Sequence, residues 1–274
     1  MTRLAELTGN RELVINLTLR ELRGKYKRST LGWGWSLLNP LLTVAIYWLV
    51  FGVFLEVVPP IGRPSGLQSF VLFLLCGLLP WNFLSSAMTF APDILVSNGN
   101  LIKKVYFPRE ILVFSEICAL LITSLIEIGV LCVLLLIAGN MVVPWIPLVL
   151  LVLGVEAVFA IGVALLLSSL NVYFRDVKHF VAIGLQALFY STPIVYPIRL
   201  VPLRAEIAGI SVPVRRIYEL NPLVRMVAVF RDVLYNLRLP NIWDFGYFTL
   251  WAIGLCAFGW FVFHKLEPRL AEEV

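Results

Sequence analysis

The chain has 274 residues, of which 60% are hydrophobic and only 14% charged, with a formal net charge of +5. Soluble domains run at roughly 45–50% apolar and about 25% charged, and a folded surface must be wetted, so a soluble enzyme, a disordered chain and a nucleic-acid-binding module are excluded. A mean hydropathy of +0.90 makes lipid the solvent for most of the chain.

The elements are read in chain order. The first thirty residues are charged and lack a cleavable apolar core, so no signal peptide is expected. Within residues 10–30, Ile15, Leu19, Leu22 and Tyr26 recur on one helical stripe, while Leu13 and Leu17 fall off it. Arg20, Arg23 and Lys27 project beside the stripe and Arg28 follows, a pattern that fits a helix lying in the membrane interface. A plain basic anchor beside the first span is the alternative reading.

A membrane crossing takes about 20 mostly apolar residues. Five runs meet this: Leu37–Val57, Leu67–Phe90, Ile111–Ala138, Val143–Leu170 and Trp243–His264. A sixth, Phe180–Tyr196, is shorter and is bounded by Pro193 and Pro197. The runs are continuously apolar and do not alternate, so the expectation is an all-α protein of six spans, not a barrel. Fourteen of the Lys and Arg fall on the side holding both termini and eight on the other, which places both termini in the cytoplasm. The long outer stretch at residues 198–242 contains a helix start at Asn221-Pro222, a side-chain cap followed by a residue needing no amide bond. Leu223, Met226, Val227, Phe230, Leu234 and Leu237 then form an apolar stripe too short to cross, so the segment is expected to dip in and return as an outer gate, or to lie flat as a surface cap.

Motifs for chemistry are scarce. There is no G-x-x-x-x-G-K-[ST], H-E-x-x-H or G-x-S-x-G, and the two histidines, His179 and His264, sit near span ends, so catalysis is not expected. Cys76, Cys118, Cys132 and Cys256 lie inside apolar runs, which gives no disulfide framework and no metal site. Glu116, Glu127 and Glu156 lie inside spans, with no Lys or Arg expected at comparable depth to pair with them. Intramembrane carboxylates are either a proton relay or interhelical hydrogen-bonding groups. Tyr47, Trp48, Phe51 and Phe54 in the first span, with Phe189 and Tyr190 in the fifth, are deep aromatics that would line a sugar path or contact lipid. The long outer loop carries seven arginines and no lysine, and Arg215, Arg216 and Arg225 are the candidate phosphate contacts. The planar guanidinium fork suits phosphate, whether of a substrate or of ordinary headgroups.

Three further motifs carry a resemblance. Lys25-Tyr26-Lys27-Arg28-Ser29 leads through Leu31-Gly32 and Trp35 to Leu38-Asn39-Pro40; Asn100-Leu101-Ile102-Lys103-Lys104-Val105-Tyr106-Phe107-Pro108-Arg109-Glu110 follows; and Val172-Tyr173-Phe174-Arg175-Asp176-Val177 is the third. With Asn221-Pro222-Leu223 they resemble the permease subunit of ABC exporters for lipid-linked polysaccharides, including O-antigen and wall teichoic acid, in order and spacing from about residue 10 to 270. The resemblance implies a single permease domain over residues 1–274 in a bacterial cytoplasmic membrane, with six spans, an interface helix, and re-entrant outer helices before the last span. It also implies a homodimeric channel above two copies of a separate ATPase, which hold the ATP and Mg, no cofactor or nucleic acid in this chain, and a polymer linked to polyprenyl diphosphate as cargo. Asn100, Lys103, Lys104, Tyr106, Phe107, Pro108 and Arg109 become the element that receives the ATPase stroke, with Lys103, Lys104 and Arg109 as exposed charges and Tyr106 and Phe107 wedged into its cleft. Arg175 and Asp176 mark a second cytoplasmic loop. The all-arginine outer loop inclines the reading to a phosphate-rich polymer such as teichoic acid. The competing readings are a drug or lipid exporter of the same architecture and a proton-coupled carrier using Glu127 and Glu156.

Overall fold

The computed structural model describes residues 11–25, 34–55, 57, 60–105, 107–207 and 210–273. Tyr26, Lys27, Arg28 and Tyr106 lie outside the described residues.

Helix α1 is Arg11–Lys25 and α2 is Trp35–Tyr47, continued by a π-helical turn Trp48–Phe54. Helix α3, Phe70–Phe90, starts where Ser69 leaves the extended region and its hydroxyl accepts from the Leu72 N–H at 3.4 Å. Two short helices, α4 (Asp93–Ser97) and α5 (Gly99–Lys104), precede α6 (Glu110–Ile137). Gly139, at φ +84°, makes the turn into a 3₁₀ turn Val143–Trp145 and α7, Ile146–Tyr173. Helix α8 is Val177–Ser191 and the closing helix α11 is Ile242–Glu273. Between them lie a two-stranded ribbon, β1 (Ala205–Ile207) and β2 (Ile210–Val212), then α9 (Val214–Glu219) and α10 (Pro222–Arg231). Ala205 pairs with Val212 and Ile207 with Ile210, so the all-helical expectation is amended by one small antiparallel ribbon.

Among the described residues, four helices are long and apolar enough to cross a membrane: Phe70–Phe90, Glu110–Ile137, the combined Val143–Tyr173 and Ile242–Glu267. The first expected span falls on the 13 residues of α2 plus the seven-residue π turn, where Leu38–Phe54 forms a shorter apolar helix. The expected Phe180–Tyr196 span is shifted: α8 begins three residues earlier, its chain leaves the helix at Thr192 beside Pro193, and its 15 residues reach only about 22 Å.

Helix α3 is the central rod, buried on nearly all sides from Phe70 to Leu84, as befits a helix that is apolar all round. Helices α6, α7 and α10 pack around it, and α7 and α11 pack on each other most extensively. That crossing depends on two glycines. A Cβ at Gly259 would overlap the Gly162 carbonyl oxygen, and one at Gly162 would overlap the Cys256 backbone. The backbones therefore touch, the small-residue contact that lets helices associate without a hydrophobic drive.

Hydrogen bonds separate two poles. At one, Arg20 meets Asn98, Asn171 meets Pro92, and Tyr173 and Arg109 meet the end of α11. At the other, Asn140 and the loop 60–69 close onto residues 234–236.

Candidate functional site

The first pole is built around α4 and α5. Asn98 Nδ2 donates to the Ile94 carbonyl at 2.9 Å, and its Oδ1 accepts from Arg20 Nη2 at 2.8 Å, which ties α1 to the junction of the two short helices. Ile102 is buried and anchors α5, leaving Asn100, Lys103 and Lys104 exposed. The next residues depart from expectation. Phe107 packs against the core and is not presented outward, and Arg109 is half-buried, its Nη1 donating to the Glu267 carbonyl of α11. The exposed charges of the elbow are thus the two lysines, while Arg109 links it to the last helix.

Three more contacts close this pole. Asn171 Nδ2 donates to the Pro92 carbonyl at 2.8 Å, Tyr173 OH donates to the Leu266 carbonyl at 3.1 Å, and His264 Nε2 lies 3.7 Å from buried Glu110. Arg175 and Asp176 are exposed just beyond, and the Asp176 carbonyl accepts from the His179 N–H at 2.9 Å as α8 starts. Hydrogen bonds at this pole thus join α1 to the α4–α5 junction, α7 to Pro92 just before α4, and both Tyr173 and Arg109 to the end of α11.

Helix α1 turns a second apolar face to the protein. Leu17, Thr18 and Leu22 are its buried residues, with Leu13 and Val14 packed at the edge, whereas Ile15 and Leu19 are exposed. The protein-facing side runs through Leu17, Thr18 and Leu22; it shares Leu22 with the stripe read in sequence and leaves that stripe's Ile15 and Leu19 exposed. Thr18 Oγ1 donates to the Ser115 carbonyl at 3.3 Å and Lys25 Nζ lies 3.5 Å from Thr123 Oγ1. These contacts rise in the same order along both helices, so α1 follows α6. Arg20, Lys25 and Glu116 line one hollow between the two helices, so cations do stand near that carboxylate. Glu156 is fully buried in α7, and neither carboxyl oxygen has a hydrogen-bond partner among the described residues.

The second pole is organised by α10 and the π turn Asp232–Asn236. Asn221 caps α10 as the sequence indicates, its Oδ1 accepting from the Leu223 N–H at 2.9 Å, and Leu223, Met226, Val227, Phe230 and Leu234 are all buried. Leu237 leaves the turn in the left-handed region at φ 56°. Tyr235 OH lies 2.6 Å from the Pro60 carbonyl and 3.0 Å from that of Leu67, and accepts from the Ser69 N–H at 3.2 Å. Burial raises this phenol above its ordinary value, so it remains a neutral donor. Ser65 Oγ donates to the Tyr235 carbonyl at 2.7 Å and Asn140 Nδ2 to that of Leu234 at 2.9 Å. One π turn thus fixes two other loops.

Arg231 is the group that sequence reading counted but did not single out. Only 7% exposed, it donates through Nη1 to the Pro193 carbonyl at 2.6 Å and through Nη2 to that of Ile194 at 2.5 Å, and its guanidinium sits 3.8 Å above the Phe73 ring. Gly77 makes the room: a Cβ there would stand 3.1 Å from Nη2. Arg231 therefore joins the broken end of α8 to α10 and α3. The signal was an arginine inside an apolar stripe together with a lone glycine in a bulky run.

The three candidate phosphate arginines differ in freedom. Arg225 is occupied: Nη1 meets Asp244 Oδ1, Nε donates to the Glu219 carbonyl at 3.1 Å, and Nη2 lies 3.5 Å from the Glu219 carboxylate. Arg215 lies 3.7 Å from the same carboxylate, and Arg216 is exposed. The deep aromatics do not share one surface. Tyr47 and Phe51 lead inward to Phe70 with ring centroids 5.9 and 5.1 Å apart, whereas Phe189 packs on Trp81 at 5.7 Å. Trp48, Phe54 and Tyr190 point out of the chain.

Apolar rods long enough to cross lipid define a multi-pass membrane protein. Residues 12–235 match the family model of the ABC-2 type transporter, and the chain belongs to that family. It is 32% identical over 263 residues to an O-antigen export system permease protein RfbA of Klebsiella pneumoniae, covering 95% of this chain and 94% of the relative. A second Klebsiella pneumoniae RfbA permease is 29% identical over 95% of this chain and 94% of its own, and one from Myxococcus xanthus 29% over 86% and 85%. The chain is thus an ABC exporter permease for polysaccharide, and its family implies a separate ATPase partner.

Proposed function

We propose that this permease dimerises to form a channel that carries a polyprenyl-diphosphate-linked polysaccharide of the O-antigen kind across the bacterial cytoplasmic membrane, driven by two copies of an ABC ATPase. The observation that carries this reading is the nearly end-to-end match to O-antigen export permeases. In this reading the chain crosses six times with both termini cytoplasmic, α2 and α8 completing the count, and α10 with its π turn forms the outer gate. Residues 99–110 receive the ATPase stroke, with Lys103 and Lys104 as the groups offered to it, and the bonds to Arg20 and to the end of α11 support that role.

The arginine content of the outer loop argues less for a phosphate-rich polymer than its number implies, because Arg225 and Arg238 are paired with carboxylates of the chain itself. A teichoic acid cargo is therefore the second reading, resting on Arg204, Arg215 and Arg216 around one outer hollow. The test is deletion of the gene from its host: surface polysaccharide should vanish while lipid-linked polymer accumulates inside. Unchanged surface polysaccharide would reject the assignment, and loss of a teichoic acid alone would favour the second reading.

A further inference from the structure

Resting on the reading of a lipid-linked cargo, we infer that the outer cleft between the loop 60–69, the end of α8 and α10 is a binding site for the diphosphate of an isoprenoid carrier. The cleft holds about 800 Å³, within the range of small-molecule sites, and is lined by five arginines against three carboxylates. Two arginines are neutralised in place, Arg225 by Asp244 and Glu219, and Arg238 by Asp232, whose Oδ1 it meets at 2.8 Å through both Nε and Nη2. No carboxylate remains for the other three. Arg63 and Arg199 are exposed at the rim, and neither pairs with an acid among the described residues. Arg231, buried at the floor, donates only to backbone carbonyls, which satisfy its hydrogen bonds without cancelling its charge.

Three guanidinium groups from separate stretches of the chain thus face one hollow with a surplus of two positive charges. The arrangement is built, not incidental. The loop bearing Arg63 is fixed by Tyr235, by Ser65 bonded to the Tyr235 carbonyl, and by Arg63's own N–H on Asn236 Oδ1 at 3.2 Å. Preorganised donors lose little freedom when a ligand arrives. A diphosphate supplies two to three negative charges and many oxygens for planar forks, whereas a single phospholipid phosphate would leave part of the surplus uncancelled. Exposed Ile61 at the lip gives an isoprenoid stem an apolar contact.

The test uses the permease–ATPase complex in phosphatidylcholine nanodiscs, with the nucleotide sites filled by a non-hydrolysable ATP analogue. The probes are farnesyl diphosphate, inorganic diphosphate, farnesol and phosphatidylglycerol vesicles. Arg63→Gln with Arg199→Gln should weaken both diphosphates at least about tenfold, the worth of roughly one charge-assisted contact. Lys178→Gln with Lys265→Gln, which removes the same charge at exposed positions of the opposite pole, should change them less than about twofold, the spread of exposed charges. Farnesol should bind no differently in any variant, and phosphatidylglycerol should not displace the diphosphate. Unchanged affinity in the cleft variant, equal loss in the outside variant, or displacement by phosphatidylglycerol would each overturn the assignment. Glycan export by the wild-type complex, measured alongside, separates the two claims. Absent export with cleft-dependent binding rejects the exporter reading alone, and normal export with cleft-independent binding rejects the cleft alone.

Discussion

Replacing Arg231 asks whether geometry or charge holds the outer gate to the bundle. In Arg231→Met the carbonyls of Pro193 and Ile194 lose donors at 2.6 and 2.5 Å, and the Phe73 ring loses its cation. Hydrogen bonds to a charged group are worth about 1.5–3 kcal/mol each and a desolvated cation–π contact about 2 kcal/mol. Methionine keeps most of the packing and removes the cost of burying a charge, which returns several kcal/mol in a dry site but less here because the guanidinium borders a cleft. The net expectation is a loss of about 2–4 kcal/mol. Arg231→Lys keeps the charge, but a single ammonium cannot span both carbonyls as a fork does, so the expected loss is smaller, about 1–2 kcal/mol. Thermal unfolding of the detergent-solubilised permease, followed by tryptophan fluorescence, should rank wild type above Lys and Lys above Met. A Met variant as stable as wild type, or a Lys variant worse than Met, would refute the reasoning.

Three other perturbations test particular contacts. Gly259→Ala drives a methyl into the Gly162 backbone, so α7 and α11 must part at a cost of about 1–3 kcal/mol or more; an unchanged melting temperature would contradict the close crossing. Tyr235→Phe strips the hydroxyl from the Pro60 and Leu67 carbonyls and the Ser69 N–H, and should cost about 1–3 kcal/mol and speed hydrogen exchange across residues 60–69; protection equal to wild type would contradict the fastening. Arg109→Ala frees the Glu267 carbonyl and should raise exchange in the last turns of α11 while leaving α3 protected; unaltered exchange there would remove the link between elbow and last helix.

What could be read from the sequence was what one segment decides by itself. Continuous apolar runs announced α3, α6, α7 and α11, and Asn221-Pro222 placed the start of α10 to the residue, since cap and imino acid act within a single turn. The burial of Leu223, Met226, Val227, Phe230 and Leu234 followed from the same helical period. What escaped depended on neighbours distant in sequence. The apolar residues of α1 form more than one face, and only α6 determines that Leu17 turns inward while Ile15 turns out. Arg109 and Phe107 look like exposed docking groups until the end of α11 and the core come to meet them. Arg225 looks like a phosphate ligand until Asp244, nineteen residues on, occupies it. The small ribbon at β1 and β2 gave no periodic signal, being only three residues per strand.

The central claim is that an ATPase stroke enters this chain through the elbow at residues 99–110 and moves polysaccharide across the membrane. The most direct measurement is ATP-dependent transfer of lipid-linked O-antigen polysaccharide into proteoliposomes containing the permease and its ATPase, comparing wild type with Lys103→Glu plus Lys104→Glu. Both lysines are exposed, so the variant should fold as wild type does. The account predicts transfer by wild type that stops without ATP and falls to near background in the variant. Transfer that runs on a proton gradient without ATP, or is undiminished by reversing both charges, would contradict it.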